Sequence, residues 1–228
     1  MADEPGGGYR VAFKDPVVGV PLHLVYEQAP VTAQGGVPSC DRAFNFVRPA
    51  PVHKLGHFGM CVTDFAAAYR FYTTRFNFAS SDVVYDDTDT SGDMTTFLHL
   101  GRGDELVDHH CFFFEGPVRH VHHASYETYD VETQPLGHDG LCSKGYEDCR
   151  GVRRHLMGSQ IFDHWFDPSR FVLEHYVDGD LVNRQCKPHR SQASPDGLHI
   201  WGVHPLLLPL LFAVLFVDKL CRGTTRLL

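Results

Sequence analysis

The sequence predicts an α+β fold made of two tandem βαβββ units. Three observations carry this. An alternating strand and an amphipathic stretch at 57–76 are followed by three short strand-like runs. The same order returns over 122–177, so the chain carries an internal repeat. Aligning the copies sets His57 against His123, and each is followed seven residues later by an acid, Asp64 and Asp130.

The elements follow in order. Residues 1–8 are acidic and then Gly-rich, and no order is expected there. Residues 9–52 read as a remnant strand and a linker. Asp15–Gln28 is a turn leading into an alternating strand, and Ala29–Cys40 is rich in Pro, Gly and Ser. The compact body spans 53–180. His57–Asp64 alternates as a strand, and Phe65–Phe76 is a helix capped by Thr63 or Asp64. Phe65, Ala68, Tyr69 and Tyr72 share one helical stripe. Strands are expected at Ser80–Tyr85, Met94–Leu100 and His109–Phe114. In the second unit, His122–Asp130 is the strand and Val131–Gly145 the helix, with Pro135 tolerated near its first turn. Strands are expected at Glu147–Val152, Gly158–Phe166 and Phe171–Val177. "FKDPVVGVPLHLVY" echoes "WFDPSRFVLEHY", so the chain start reads as the last strand of a preceding copy. Residues 181–228 read as an extension ending in an apolar tail. Leu206–Val217 of that tail is interrupted by Pro209 and falls short of the roughly 20 residues a spanning helix needs, so a membrane partner is not expected.

Composition excludes some classes. A chain of 228 residues fits one large domain or two small ones. A formal net charge of -8 argues against a nucleic-acid partner, which demands a dense basic face. Seven Cys without a C-x-x-C pair, and no secretory leader, point to reduced thiols and a cytoplasmic protein. The 16 His suit metal binding or proton transfer.

Strand alternation selects among those His. Phe58, Met60 and Val62 form the apolar face of the first strand, which leaves His57, Gly59, Cys61 and Thr63 toward a cavity. By the same count His123, Ser125 and Glu127 face the cavity in the second unit. His122 is then expected on the opposite face, and His120 in the preceding turn. Glu174 stands inside an otherwise apolar strand, where a carboxylate needs a partner: an Arg such as Arg154, or a metal. Two imidazoles and one carboxylate leave coordination positions open, as suits non-haem Fe(II).

The segments "KLGHFGMCVTD", "HVHHASYETYD" and "IFDHWFDPSRFVLEHY" resemble the vicinal oxygen chelate superfamily, and within it the type I extradiol dioxygenases. The resemblance covers roughly 53–180. It implies a partly open, barrel-like mixed sheet around a metal cavity. It implies His57, His123 and Glu174 as ligands of Fe(II), with Mn(II) as the alternative. It implies His110, the second His of "DHHCFFF", as the acid/base group and His155 as a substrate-orienting residue. It also implies a small aromatic diol and O₂ as partners, and assembly as a homo-oligomer. His164 stands where the family has a Tyr that contacts substrate, and Arg170 where it has a turn Gly. The family's complete amino-terminal domain is matched only by the remnant strand, so a truncated gene model is one expectation for both ends. These departures favour a competing reading as a decayed binding module. A glyoxalase-like isomerase is disfavoured, because that activity usually uses four side-chain ligands. Phe112, Phe114, Tyr126 and Trp165 are candidates for the pocket wall.

Overall fold

The computed structural model describes residues 6–30, 52–86, 92–194 and 199–201. Most of the expected linker and the apolar tail lie outside them. Two compact units are separated at residues 48 and 49.

The first unit is a hairpin. Strand β1 (Tyr9–Lys14) pairs antiparallel with β2 (Pro21–Tyr26). Where one remnant strand was expected over 9–52, the described residues hold a two-stranded hairpin. The Asp15 carboxylate makes the turn between them, accepting the Val17 and Val18 amides at 2.7 and 2.9 Å. Asp167 does the same in the second unit for Ser169 and Phe171, both at 2.8 Å, so the sequence echo reflects a shared turn.

The second unit is one open nine-stranded sheet. It contains β3 (Val52–Val62), α1 (Phe65–Arg75), β4 (Phe78–Tyr85), β5 (Asp93–Leu100) and β6 (Cys111–Glu115). The copy follows as β7 (His120–Thr128), α2 (Thr133–Ser143), β8 (Asp148–Arg154), β9 (Ile161–Phe166) and β10 (Val172–Val177), and then β11 (His189–Gln192). The strand order is β11-β4-β5-β6-β3-β7-β10-β9-β8. Each copy thus contributes four adjacent strands, and the first strands of the copies pair antiparallel at the centre. Phe58 pairs with Ala124, its own counterpart in the repeat, which is what a local two-fold axis demands.

Sequence chemistry explains the elements. Asp64 caps α1 by accepting the Ala67 amide at 2.8 Å. Asp130, its repeat partner, accepts the Thr133 amide at 2.8 Å where α2 begins. Phe65, Ala68 and Tyr72 are buried beneath α1, with Phe65 and Tyr72 rings 5.3 and 5.9 Å from Phe113. Tyr69 sits at the rim, where its hydroxyl accepts from Ser80 at 3.1 Å. Strand β11 escaped the sequence reading because its four residues, HRSQ, are polar and alternate in nothing. The extension after 180 therefore folds back and adds β11 parallel to β4.

Arg170 has φ +69°, the left-handed conformation expected where a turn Gly would normally stand. Its guanidinium pairs with Glu147 and lies 4.0 Å from the Phe166 ring centroid. Arg170→Gly relieves about 1 kcal/mol of backbone strain and forfeits a comparable cation–π contact, so its stability should match the unsubstituted chain. Arg170→Ala forfeits the contact and keeps the strain. It should unfold at lower urea, about 1 kcal/mol less stable than the glycine variant.

Candidate metal centre

Backbone irregularities in two central strands build the site. On β3, Leu55 pairs with Tyr126 and Phe58 with Ala124, so Gly56 and His57 together oppose Ser125. On β7, Gly59 pairs with His123 and Met60 with Val121, so His122 is the extra residue. Both ligand candidates stand at a β-bulge, a device that re-aims side chains. Glycines make room beside them. A Cβ at Gly56 would overlap the Tyr176 ring, and one at Gly59 the Phe112 ring. Those rings flank His57 at 5.5 and 6.2 Å.

His57, His123 and Glu174 converge in the centre of the sheet and are 4%, 5% and 1% exposed. The two Nε2 atoms are 3.0 Å apart. Glu174 Oε2 is 3.1 Å from His57 Nε2 and 3.5 Å from His123 Nε2. Ligand atoms each about 2.1 Å from one cation stand roughly 3 to 3.5 Å apart, so this spacing fits one divalent ion. Protonation fits as well. Burial, helped by His109, pulls His57 down to about 3, leaving a neutral imidazole at physiological pH. Burial alone would raise Glu174, but His57, His164, His123 and His155 outweigh it and hold the carboxyl well below its usual range. A buried anion beside the neutral His57 and His164 rings calls for a cation. The Arg154 alternative fails, because Arg154 pairs with Asp178 at 2.6 Å.

The other oxygen of Glu174 faces His164 and His155. His164 Nε2 lies 3.3 Å from Oε1, and His155 Nε2 lies 3.7 Å from it. His164 sits opposite Glu174 in the β9–β10 register. It is pulled down to about 4 by burial, against the pull of Glu174. His155 follows β8 and stacks on Phe162 with centroids 3.7 Å apart.

His109, not His110, stands against the centre. The His109 ring is 4.2 Å from the His57 ring. Its Nδ1 is 2.8 Å from Gln160 Nε2 and 3.3 Å from Asp108 Oδ1. Asp108 also accepts the Tyr176 hydroxyl at 2.5 Å. Burial opposes ionisation of Asp108, but its bonds to His109 and Tyr176 bring it down to about 2. His110 is only half-buried and lies toward Asp108, Arg102 and Lys54. The resemblance pointed to His110, but β6 begins only at Cys111, and His109, whose amide bonds the Asp108 carboxylate, is the ring that meets His57. A missed signal was the sequence "DHH", whose Asp can hold only one of the two rings.

His122 is also corrected. It does not face away, because the bulge turns it toward His123, with their Nδ1 atoms 2.7 Å apart. His120 opens β7 and bonds the Val118 carbonyl at 2.8 Å. Of the expected aromatic wall, Phe112 and Phe114 meet these imidazoles. Trp165 lies instead under α2, donating to Asp163 at 2.7 Å.

Asp163 is fully buried and also contacts His138 of α2 at 3.1 Å. Burial raises its carboxyl to about 6, against the opposing pull of Trp165 and His138. The folded chain thus holds a proton that the unfolded chain releases near 3.8. Its contribution is present below that value and is lost as pH rises through about 6. Asp163→Asn cannot titrate. The difference in unfolding free energy between the two proteins should therefore shift by about 1 kcal/mol between pH 5 and 7.5, in favour of the asparagine variant at the higher pH.

Among the described residues no helix is long and apolar enough to cross a membrane. Comparison with known proteins gives a consistent result. Metapyrocatechase 2 of Cupriavidus necator is 31% identical over 117 residues, covering 50% of this chain and 36% of that protein. The chain thus spans about a third of that relative's length. The 2,3-dioxygenase LapB from Pseudomonas sp. KL28 superposes with TM-score 0.70 at 20% identity, covering 83% of this chain and 65% of its own. Homoprotocatechuate 2,3-dioxygenase from Brevibacterium fuscum, in complex with 3,4-dihydroxyphenylacetate, gives 0.71 at 17%, covering 92% and 62%. A Mn(II)-bound glyoxalase from Novosphingobium aromaticivorans gives 0.70 at 22%, covering 88% and 60%. A sequence profile matches residues 54–175, more than half of the chain, and on that match the chain belongs to the Glyoxalase/Bleomycin resistance protein/Dioxygenase superfamily.

Proposed function

We propose that this chain is an Fe(II)-dependent extradiol dioxygenase that opens a catechol-type ring with O₂, with Mn(II) as the alternative metal. The carrying observation is the buried set of His57, His123 and Glu174, surrounded by His109, His155 and His164. The likeness to metapyrocatechase 2 supports the same reading. The cytoplasm and a homo-oligomeric state belong to this proposal.

His57, His123 and Glu174 would hold the ion, which supplies open coordination positions and a one-electron redox couple. The chain's other residues do the rest. Gln160 Nε2 and Asp108 Oδ1 flank His109 Nδ1 at 2.8 and 3.3 Å and hold that ring beside His57. An imidazole held there is placed to take a proton from a diol and return it later. His155, partly exposed and clamped on Phe162, orients the diol at the rim. His164, whose Nε2 lies 3.3 Å from the outer Glu174 oxygen, would help hold that carboxylate in place. Phe112, stacked on Phe97, excludes water from the His57 side. The overall change breaks the ring bond beside the diol and places both atoms of O₂ in the product, a muconic semialdehyde.

The test is anaerobic loading with Fe(II), then catechols and O₂ in an oxygen electrode. Oxygen uptake with a ring-opened chromophore is expected. Stoichiometric iron without uptake for any catechol would contradict the proposal. A hemithioacetal isomerised without oxygen uptake would move the chain to the glyoxalase side of the family.

A further inference from the structure

The bulge in β7 brings a third imidazole to the edge of the centre. His122 has no partner on β3, because Gly59 pairs with His123 and Met60 with Val121. A regular strand would send its ring to the opposite face. Instead its Nδ1 lies 2.7 Å from His123 Nδ1. Two phenyl rings fix it there, edge-on, with centroids at 5.7 Å to Phe112 and 5.3 Å to Phe114. The first unit lacks this arrangement. Gly56 occupies the equivalent position, and the His57 Nδ1 atom is buried with no hydrogen-bond partner.

We infer that His122 is a positioning residue that accepts the Nδ1–H of His123 and so holds the His123 Nε2 lone pair toward His57 and Glu174. The inference rests on the metal reading proposed above. Its chemistry is simple. A neutral imidazole carries one N–H, and if Nδ1 keeps it, Nε2 is free to bind a cation. Such an acceptor fixes the tautomer and the ring plane of a ligand, and raises its basicity. The bulge, an apparent defect of the ladder, is what makes the contact. The two-fold symmetry of the repeat is broken at this point, and the two His ligands are held unequally.

Two substitutions separate acceptor from bulk. His122→Asn puts an amide oxygen near the place of Nδ1. His122→Leu keeps comparable volume and removes the acceptor. The readout is Mn(II) affinity of the full chain by titration calorimetry, with circular dichroism confirming the fold. The leucine variant should bind Mn(II) about 10- to 100-fold more weakly, and the asparagine variant should recover most of that loss. Leucine binding as tightly as the unsubstituted chain, or asparagine no better than leucine, overturns the inference and leaves the metal reading standing. An unsubstituted chain that takes up no Mn(II) overturns both.

Discussion

Glu174→Ala should abolish metal binding and ring cleavage together. Glu174 is the only carboxylate among the three convergent ligand candidates, and it is 1% exposed. Loss of a supporting partner outside the coordination shell typically costs roughly 10- to 100-fold in affinity, and loss of the charged ligand itself costs more. Thermal denaturation shows this directly. A metal at about 100 times its dissociation constant stabilises the folded chain by about 2.7 kcal/mol. The unsubstituted chain should therefore melt higher with Fe(II) or Mn(II) under anaerobic conditions, and the alanine variant should not respond. Glu174→Gln retains the shape and can still accept from Ser125, but it carries no charge. It should resemble the alanine variant in metal response. A glutamine variant that binds metal normally would place the ion elsewhere.

The second large effect separates two adjacent residues. His109→Ala should lower turnover by about 10²- to 10⁴-fold, the usual worth of a positioned acid/base group, with metal content unchanged. His110→Ala should leave turnover near that of the unsubstituted chain. The reason is geometric. His109 is packed 4.2 Å from the His57 ring and tied to Gln160, while His110 lies on the Arg102 and Lys54 side. Steady-state kinetics with iron quantified in each preparation checks both. Equal losses at the two positions would mean that the segment acts through packing alone.

The contrast between these residues shows where the sequence was informative. The convergence of His57 and His123 was legible because period-two alternation and an internal repeat are long-range patterns, and Glu174 stood out as a carboxylate inside an apolar strand. Errors in one strand cannot easily shift both copies. Asp64 and Asp130 were legible for the same reason, and both serve helix starts. His122 was misplaced because alternation assumes a regular ladder, and a bulge interrupts β7. His110 came from the family resemblance, and the structure sets its neighbour His109 against the His57 ring instead. A bulge has no residue signature here. It arises from how β3 and β7 pair, and pairing is a tertiary fact. Strand β11 was hidden differently. HRSQ has no apolar face, and its place comes from pairing with β4, beside an Arg190–Asp93 ion pair. Arg170 was read as standing where the family has a turn Gly, and its φ of +69° fits that place. What the sequence could not supply was its compensation, the Glu147 pair and the Phe166 face.

The most direct test of the central claim is diffraction from crystals loaded anaerobically with Fe(II), recorded on both sides of the iron absorption edge. The account predicts one strong anomalous peak per chain, within bonding distance of His57 Nε2, His123 Nε2 and a Glu174 carboxylate oxygen. No peak there, or a peak confined to other side chains, would contradict it.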